Sequence, residues 1–293
     1  SWGQRHRIGS PRSSCLGPGA CVACPRMRMA LGRSAQQQLA QIQAGLSRAP
    51  SQRLQTERRA VVACLVRPSV FSSQPSASPL WQPDSLDVFF ILRASAQDRI
   101  AAQRAIGNRR WSGQVGFPGG HVMVGESDHE AVARECHEEV GLCLNAPGAY
   151  RFLGCVKERQ ASHKLAVACR VYEQLIPQSP THLQVGEVAA CGWAPLPLLL
   201  RERCAKPLEW SAIYGGDGDA WNGFPSVPLP VADLRVAEGV SEERARNQFV
   251  LWGLTLGIVN DWLQVTGLRP KPIRLDSHSA RASQTPRPQE SRL

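Results

Sequence analysis

The stretch from Gly119 to Leu142 (GGHVMVGESDHEAVARECHEEVGL) constrains the fold of this chain more than any other feature. Ser127 followed three residues later by Glu130 is the sequence signature of a capping box, so we expect a helix to begin there. Gly141 is the residue type that ends a helix in the left-handed conformation. The stretch therefore predicts a glycine turn followed by a short helix that is capped at both ends.

The predicted helix carries the carboxylates of Glu135, Glu138 and Glu139 at spacings of three and four residues. Residues at those spacings share one helical face, where like charges repel each other. A hard divalent cation relieves the repulsion, because Mg²⁺ and Mn²⁺ take oxygen ligands and pair with phosphates. The structural alternative is a solvated acidic face, the usual meaning of a charge run. The glycines and the arginine at fixed spacing around these carboxylates favour the metal site.

The full spacing resembles the Nudix box: glycine, five residues, glutamate, seven residues, arginine–glutamate, an apolar residue, any residue, two glutamates, any residue, glycine and an apolar residue. The matching residues are Gly120, Glu126, Arg134, Glu135, Cys136, Glu138, Glu139, Gly141 and Leu142, so every position is filled. The resemblance implies an α/β fold, the Nudix α/β/α sandwich. In that fold a mixed sheet has the box helix on one face and the terminal helix on the other, within a single catalytic domain.

The resemblance also implies a Nudix diphosphatase that uses Mg²⁺ or Mn²⁺. The implied metal ligands are three box carboxylates, one backbone carbonyl and one glutamate acting through water or another ligand: Glu135, Glu138, Glu139, Gly119 and Glu126. Arg134 is expected to hold a glutamate in position. The general base is either Glu187, ahead of a later strand, or a glutamate of the box, and both assignments stay open.

The residues that lead into the box narrow the resemblance. Gly113–Val115 followed by Phe117–Gly120 resembles the coenzyme A diphosphatase branch of the Nudix hydrolases, which includes peroxisomal members. Arg93 stands where that branch often has a basic residue after its strand, whereas Trp111 and His121 depart from the branch pattern. The residues expected to contact the substrate are Arg93, Trp111, Gly119 and Gly120. The implied reaction converts coenzyme A or acyl-CoA to 3′,5′-ADP and (acyl-)4′-phosphopantetheine.

Two alternatives remain beside that reaction. A Nudix pyrophosphatase acting on ADP-ribose, NADH or a dinucleoside polyphosphate would share the box, although the downstream marks of those branches are missing here. A non-catalytic nucleotide-binding protein of the Nudix fold belongs to a different class. Such proteins typically lose a box glutamate, and none is lost here.

The termini differ in composition from the rest of the chain. We predict an N-terminal extension over 1–58 with a possible helix, a Nudix hydrolase domain over 59–267 and a flexible tail over 268–293. Residues 1–26 are expected to be a disordered segment, a targeting segment or a stretch foreign to the natural protein, and the sequence does not separate the three. Ser291-Arg292-Leu293 resembles the peroxisomal tripeptide address, which predicts an import receptor as partner and a peroxisomal location. Mitochondrion and cytoplasm are the alternatives.

Composition excludes some function classes. The net charge is +10, but no finger spacing or aromatic-interleaved basic patch points to nucleic acid. No apolar run approaches the roughly eighteen residues of a membrane span. The ten cysteines are spread over the chain, and several lie in apolar runs where free cysteine behaves as a small hydrophobe. Cys21 and Cys24 form an isolated C-x-x-C, which is weak support for zinc or redox chemistry.

Hydrophobic periodicity predicts the remaining elements. Strands are expected over 60–66, 87–93, 151–157, 164–173 and from 185 toward 196, and helices over 34–58, 196–203 and 242–265. Residues 215–230 are predicted to be a loop.

Overall fold

The computed structural model describes residues 33–49, 53–69, 84–96, 98, 111–214 and 221–275. The helices of this part of the chain are α1 (Arg33–Arg48), α2 (Asp128–Val140), α3 (Leu196–Leu200), α4 (Trp210–Tyr214), α5 (Glu242–Gln248) and α6 (Gly253–Val265). Its strands are β1 (Arg58–Pro68), β2 (Leu86–Arg93), β3 (Val115–Gly116), β4 (Gly119–His121), β5 (Tyr150–Ser162), β6 (Leu165–Gln174), β7 (Val188–Pro195), β8 (Lys206–Pro207), β9 (Pro225–Pro228), β10 (Ala232–Val236) and β11 (Val250–Trp252).

Within the described residues, eight strands form one sheet in the order β10-β7-β2-β1-β6-β5, with β3 paired to β2 and β4 paired to β1. β1 and β6 run parallel, whereas β1 with β2 and β5 with β6 run antiparallel, so the sheet is mixed. β1 and β2 pair with each other only at residues 66–68 and 86–88. Where they diverge, β4 pairs with β1 and β3 pairs with β2. Gly119 and Gly120, predicted to form a turn, are therefore part of strand β4, and the name glycine turn is kept for these two residues.

The two faces of the sheet bury separate apolar clusters, because successive side chains of a strand point to opposite faces. In β1, Val61, Ala63 and Leu65 belong to the cluster that contains the apolar side of α2. The alternate residues Cys64 and Val66 belong to the cluster that contains α1 and α6. Helices therefore cover both faces. The predicted α/β/α sandwich with a mixed sheet in a single domain is confirmed.

The prediction of one helix over 242–265 is wrong. The structure divides the segment into α5, the three-residue strand β11 and α6. Gly253 has a φ of +60°, a left-handed conformation that interrupts a helix, and Trp252 before it is extended. β11 pairs antiparallel with β9, so a long-range ladder overrides the local helical periodicity.

The same ladder corrects the prediction of a loop over 215–230. Residues 225–228 form β9, which pairs with β11 on one side and with β8 on the other in a small second sheet. Pro225 and Pro228 bracket this strand. Proline is a weak strand former, which is why the segment was predicted to be a loop.

Both predicted extensions contribute to the core. Leu39, Ile42 and Leu46 of α1 are buried against the sheet. At the other end, Ile273 is buried and its backbone exchanges hydrogen bonds with the side chain of Asn260. Arg269 donates hydrogen bonds to the backbone carbonyls of three residues that lie in the last turn of α3 or directly after it. Arg269 and Ile273, which lie in the predicted tail, therefore pack against the domain. No helix among the described residues has the length and apolar character to cross a membrane.

Candidate active site

The box helix α2 has the capping that its sequence predicts. The Ser127 side chain accepts from the Glu130 amide, and the Glu130 side chain accepts from the Ser127 amide at 2.8 Å. Gly141 ends the helix with a φ of +69°. Cys136 is fully buried and faces the sheet, so the small apolar position of the box is a core contact. Two acidic residues of the helix, Glu135 and Glu139, lie against the glycines that precede it.

Glu139 is the most buried of the three clustered carboxylates, with a side chain 1% exposed. Its Oε2 accepts a hydrogen bond of 2.8 Å from the Gly119 amide, and its Oε1 lies 3.3 Å from Arg93 Nη1. Burial raises the pKa of Glu139 to about 7, against the opposing effects of Arg93 and the Gly119 amide. The Glu139 carboxylate, which the box helix provides, thus contacts both the glycine turn and the end of β2.

Arg134 contacts the other box carboxylates. Its Nε donates to Glu126 at 2.9 Å, and its Nη1 donates to Glu135 at 2.9 Å and to Glu138 at 3.1 Å. Its Nη2 donates to Glu126 at 3.1 Å and to the His121 carbonyl at 3.1 Å. A planar guanidinium with five donors is suited to hold several carboxylates at once. This geometry matches a positioning role and leaves Arg134 no contact with the Gly119 amide or Glu139.

Glu135 lies directly against Gly120. A Cβ at Gly120 would lie only 2.4 Å from Glu135 Oε1, so a side chain there would displace the Glu135 carboxylate. The Glu135 side chain is 15% exposed, and its pKa is raised by burial more than Arg134 lowers it. The negative charges of Glu138 and Glu187 also raise the pKa of Glu135. Glu135 is therefore a partly desolvated carboxylate surrounded by like charges.

Glu187 is exposed and precedes β7. Its carbonyl accepts from the Ala94 amide at 2.8 Å, which fixes the backbone beside the end of β2. Its charge raises the pKa of both Glu135 and Glu139. The predicted candidate for the general base thus lies within electrostatic reach of two box carboxylates.

These residues fit a divalent cation by donor type. The donors are carboxylate oxygens, as Mg²⁺ and Mn²⁺ prefer, and the raised pKa values of Glu135 and Glu139 mark anions that an added positive charge would stabilise. As the side chains stand, however, the described residues contain no group of three or more His, Cys, Asp or Glu placed to hold a metal. Arg134 already donates hydrogen bonds to the carboxylates of Glu126, Glu135 and Glu138. These carboxylates would therefore hold a cation only after those contacts are rearranged.

Two adjoining cavities open beside the glycine turn. The apolar cleft has a volume of about 150 Å³ and includes Arg93, Trp111, Gly119, Gly120 and His121 at its polar end. Its apolar walls come from β1, β3, β6 and the first turns of α6, namely Ala60, Val62, Val115, Phe117, Leu165, Val167, Leu254 and Ile258. All four residues predicted to contact substrate therefore line one cleft.

The basic pocket, defined here by Arg58, Trp111, Ser162, His163 and Lys164, has a volume of about 250 Å³. It shares Trp111 and Leu165 with the apolar cleft. None of Arg58, His163 and Lys164 belongs to a sequence motif. Only the parallel pairing of β1 with β6 brings these side chains together, and that pairing is long-range.

Comparisons with known proteins agree with this architecture. A family model described as "NUDIX domain" matches residues 83–212. The isopentenyl-diphosphate Delta-isomerase of Leifsonia xyli is 29% identical over 139 residues, which cover 42% of this chain and 73% of the relative.

Similar solved structures include the MutT NUDIX hydrolase of Burkholderia pseudomallei, 22% identical with a TM-score of 0.29, over 47% of this chain and 83% of that one. The NUDIX domain of Shewanella oneidensis NrtR complexed with ADP ribose is 18% identical with a TM-score of 0.31, over 52% and 82% of the two chains. These TM-scores carry no argument about substrate. The family match and the complete box support a NUDIX domain over 83–212 and an enzyme of the pyrophosphohydrolase type.

Proposed function

We propose that the chain hydrolyses the diphosphate of coenzyme A or acyl-CoA, with Mg²⁺ or Mn²⁺, to 3′,5′-ADP and (acyl-)4′-phosphopantetheine. The observation that carries the proposal is the apolar cleft that ends at Gly119, Gly120 and Arg93. A diphosphate at the glycine turn would leave the group attached to it against apolar walls. The uncharged pantetheine arm and an acyl chain suit such walls, and the leader residues that resemble the coenzyme A branch line them.

The chain's own residues supply positioning and proton transfer. A divalent cation, when bound, neutralises the diphosphate and lowers the pKa of the attacking water. Glu135, Glu138 and Glu139 are the side chains that would hold it, and Arg134 and the Gly119 amide fix their positions. In the reaction the water oxygen bonds to one phosphorus, the bridging phosphorus–oxygen bond breaks, and the water proton passes to a carboxylate. Glu187 or a box glutamate accepts that proton.

Other compounds that contain a diphosphate are alternative candidates for the substrate. ADP-ribose, NADH and dinucleoside polyphosphates carry the same reacting group, and the solved relatives named above include one with ADP ribose bound. The curated relative is named for isopentenyl diphosphate, a prenyl diphosphate without a nucleotide. An apolar cleft beside the box does not by itself separate a pantetheine arm from a prenyl chain, so both belong in the same test.

The test is a substrate panel with the purified full chain. Coenzyme A, acetyl-CoA, ADP-ribose, NADH, diadenosine tetraphosphate and isopentenyl diphosphate are each incubated with Mg²⁺ or Mn²⁺, and products are resolved by chromatography. We expect the highest kcat/KM for coenzyme A or acetyl-CoA, with 3′,5′-ADP as a product. Intact coenzyme A and acetyl-CoA beside cleavage or isomerisation of another compound would overturn the proposal.

A peroxisomal location is part of the same proposal. Ser291-Arg292-Leu293 lie outside the described residues, so their support is the sequence match alone. A fluorescent protein fused ahead of the full chain should enter peroxisomes, and deletion of the tripeptide should abolish that import. Unchanged localisation after the deletion would contradict the proposal.

A further inference from the structure

The residues that line the basic pocket are held in place by hydrogen bonds, so the pocket is not a chance grouping of surface side chains. Lys164 lies in the turn between β5 and β6, and its carbonyl accepts from the Arg58 amide at 2.9 Å. The Ser162 hydroxyl accepts from the Lys164 amide at 3.3 Å, which shapes the turn from within. The Arg58 guanidinium donates to His121 Nε2 at 3.0 Å, next to the glycine turn. Backbone pairing and side-chain contacts therefore fix the cationic groups relative to the cleft.

The charge of this pocket is mainly positive. Arg58 and Lys164 carry full charges, and His163 adds a third nitrogen base. Lys164 pairs with Glu57, whose Oε2 lies 3.1 Å from Lys164 Nζ with both side chains more than half exposed. An exposed pair of this kind is weak, so Lys164 can exchange Glu57 for a stronger anion at little cost. None of the described residues that line the pocket carries a carboxylate.

The diphosphate and the apolar cleft account for only part of the proposed substrate. Coenzyme A carries a third phosphate, a monoester on the ribose of its nucleotide half, which is a dianion near neutral pH. Guanidinium and ammonium groups are the side chains that bind phosphate oxygens with charge-assisted hydrogen bonds. Trp111, shared by the two cavities, offers an aromatic surface between them.

We propose that the basic pocket binds this ribose phosphate monoester and thereby selects nucleotides that carry it. The inference rests on the proposed function for the identity of the substrate. It assigns Arg58 and Lys164 as its phosphate contacts and makes the pocket a specificity site beside the reacting diphosphate.

The test measures binding without turnover. Isothermal titration in the presence of a chelator compares 3′,5′-ADP with 5′-AMP, which differ only in the phosphate monoester. For the wild type we expect 3′,5′-ADP to bind about tenfold more tightly, equivalent to about 1.4 kcal/mol, since its additional phosphate gains charge-assisted hydrogen bonds. In Lys164→Met and in Arg58→Met that preference should fall to about threefold or less.

Lys157→Met is the matched control. Lys157 is also an exposed lysine paired with a carboxylate, Asp261 at 3.1 Å, but it lines neither cavity. The control removes the same charge and should keep the wild-type preference. Equal wild-type affinities for the two nucleotides, or a preference that survives in Lys164→Met and Arg58→Met together, would overturn the inference. Because no turnover is measured, failure to hydrolyse coenzyme A would count against the proposed function alone.

Discussion

Replacing Gly120 with alanine should damage the site while sparing the fold. The added Cβ would lie 2.4 Å from Oε1, 2.5 Å from the carboxyl carbon and 2.7 Å from Oε2 of Glu135, and all three atoms are at the end of a flexible side chain. Gly120 has no positive φ, so alanine adds no backbone strain. The carboxylate of Glu135 is therefore the group that must move.

The size of the effect follows from the distances. Ordinary contact begins at 3.4 Å, so the carboxylate must retreat by about 1 Å from its present 2.4 Å. Misplacing a catalytic group by about 1 Å can reduce a rate by roughly a hundredfold. The retreat also weakens the 2.9 Å contact with Arg134, which is partly exposed and contributes about 1 kcal/mol or less.

Steady-state kinetics on coenzyme A and urea denaturation of the same preparations test this prediction. Gly120→Ala should lose about a hundredfold in kcat/KM while its free energy of unfolding falls by about 1 kcal/mol or less. Gly125→Ala is the control, because it lies in the following loop with no atom within 4 Å of its Cβ; its φ of +83° adds only strain. A folded Gly120→Ala protein with activity within threefold of wild type would refute the placement of Glu135 in the site.

Three further predictions concern the same core and site. Gly119→Ala should lower the free energy of unfolding in urea by about 2–5 kcal/mol, because its φ is +145° and its Cβ would lie 2.2 Å from the Val61 carbonyl; an unchanged midpoint would contradict this. Arg134→Lys should lose most of the activity in steady-state assays, since an ammonium group cannot contact Glu126 and the neighbouring carboxylates together; full activity would contradict the positioning role. Burial raises the pKa of Asp87 from 3.8 to about 6, so the stability it contributes is present below pH 3.8 and is lost as pH rises through 6. Because one pKa unit corresponds to about 1.36 kcal/mol, wild type should lose roughly 2.4 kcal/mol relative to Asp87→Asn between pH 4 and pH 7, and a gain over that range would contradict this prediction.

The box helix was predictable because its determinants are local. Ser127 and Glu130 cap it, Gly141 ends it, and these contacts span five residues or fewer. Strands β1 and β2 were also predictable from their apolar runs, since strands that are covered on both faces are continuously hydrophobic. Fold class follows from these segments together with the spacing of the box.

The division of the terminal helix was not predictable, because it depends on pairing between distant segments. Val250–Trp252 has apolar residues that fit either a helix or a strand, and the choice is made by its ladder with Pro225–Pro228. Gly253 was visible in the sequence, but an isolated glycine inside a helical pattern is commonly tolerated. Tertiary contacts decide such segments.

The candidate site was likewise predictable only where its residues belong to a local sequence motif. The box residues and Arg93 were found from spacing, and the structure brings Arg93 and Gly119 to Glu139. Arg58 and Lys164 carry no motif, since their proximity arises from the parallel register of two strands more than a hundred residues apart. That register also makes the basic pocket.

We propose that Glu139, which is held by the Gly119 amide and Arg93, takes part in the hydrolysis of coenzyme A. The most direct measurement is release of 3′,5′-ADP from coenzyme A by wild type, Glu139→Gln and Glu130→Gln with Mn²⁺. Glutamine keeps an acceptor for the Gly119 amide, and Glu130 belongs to the same helix but to its cap. The account predicts release by wild type and by Glu130→Gln, and a loss of about a hundredfold or more in Glu139→Gln. Equal release by Glu139→Gln, with the fold intact, would contradict it.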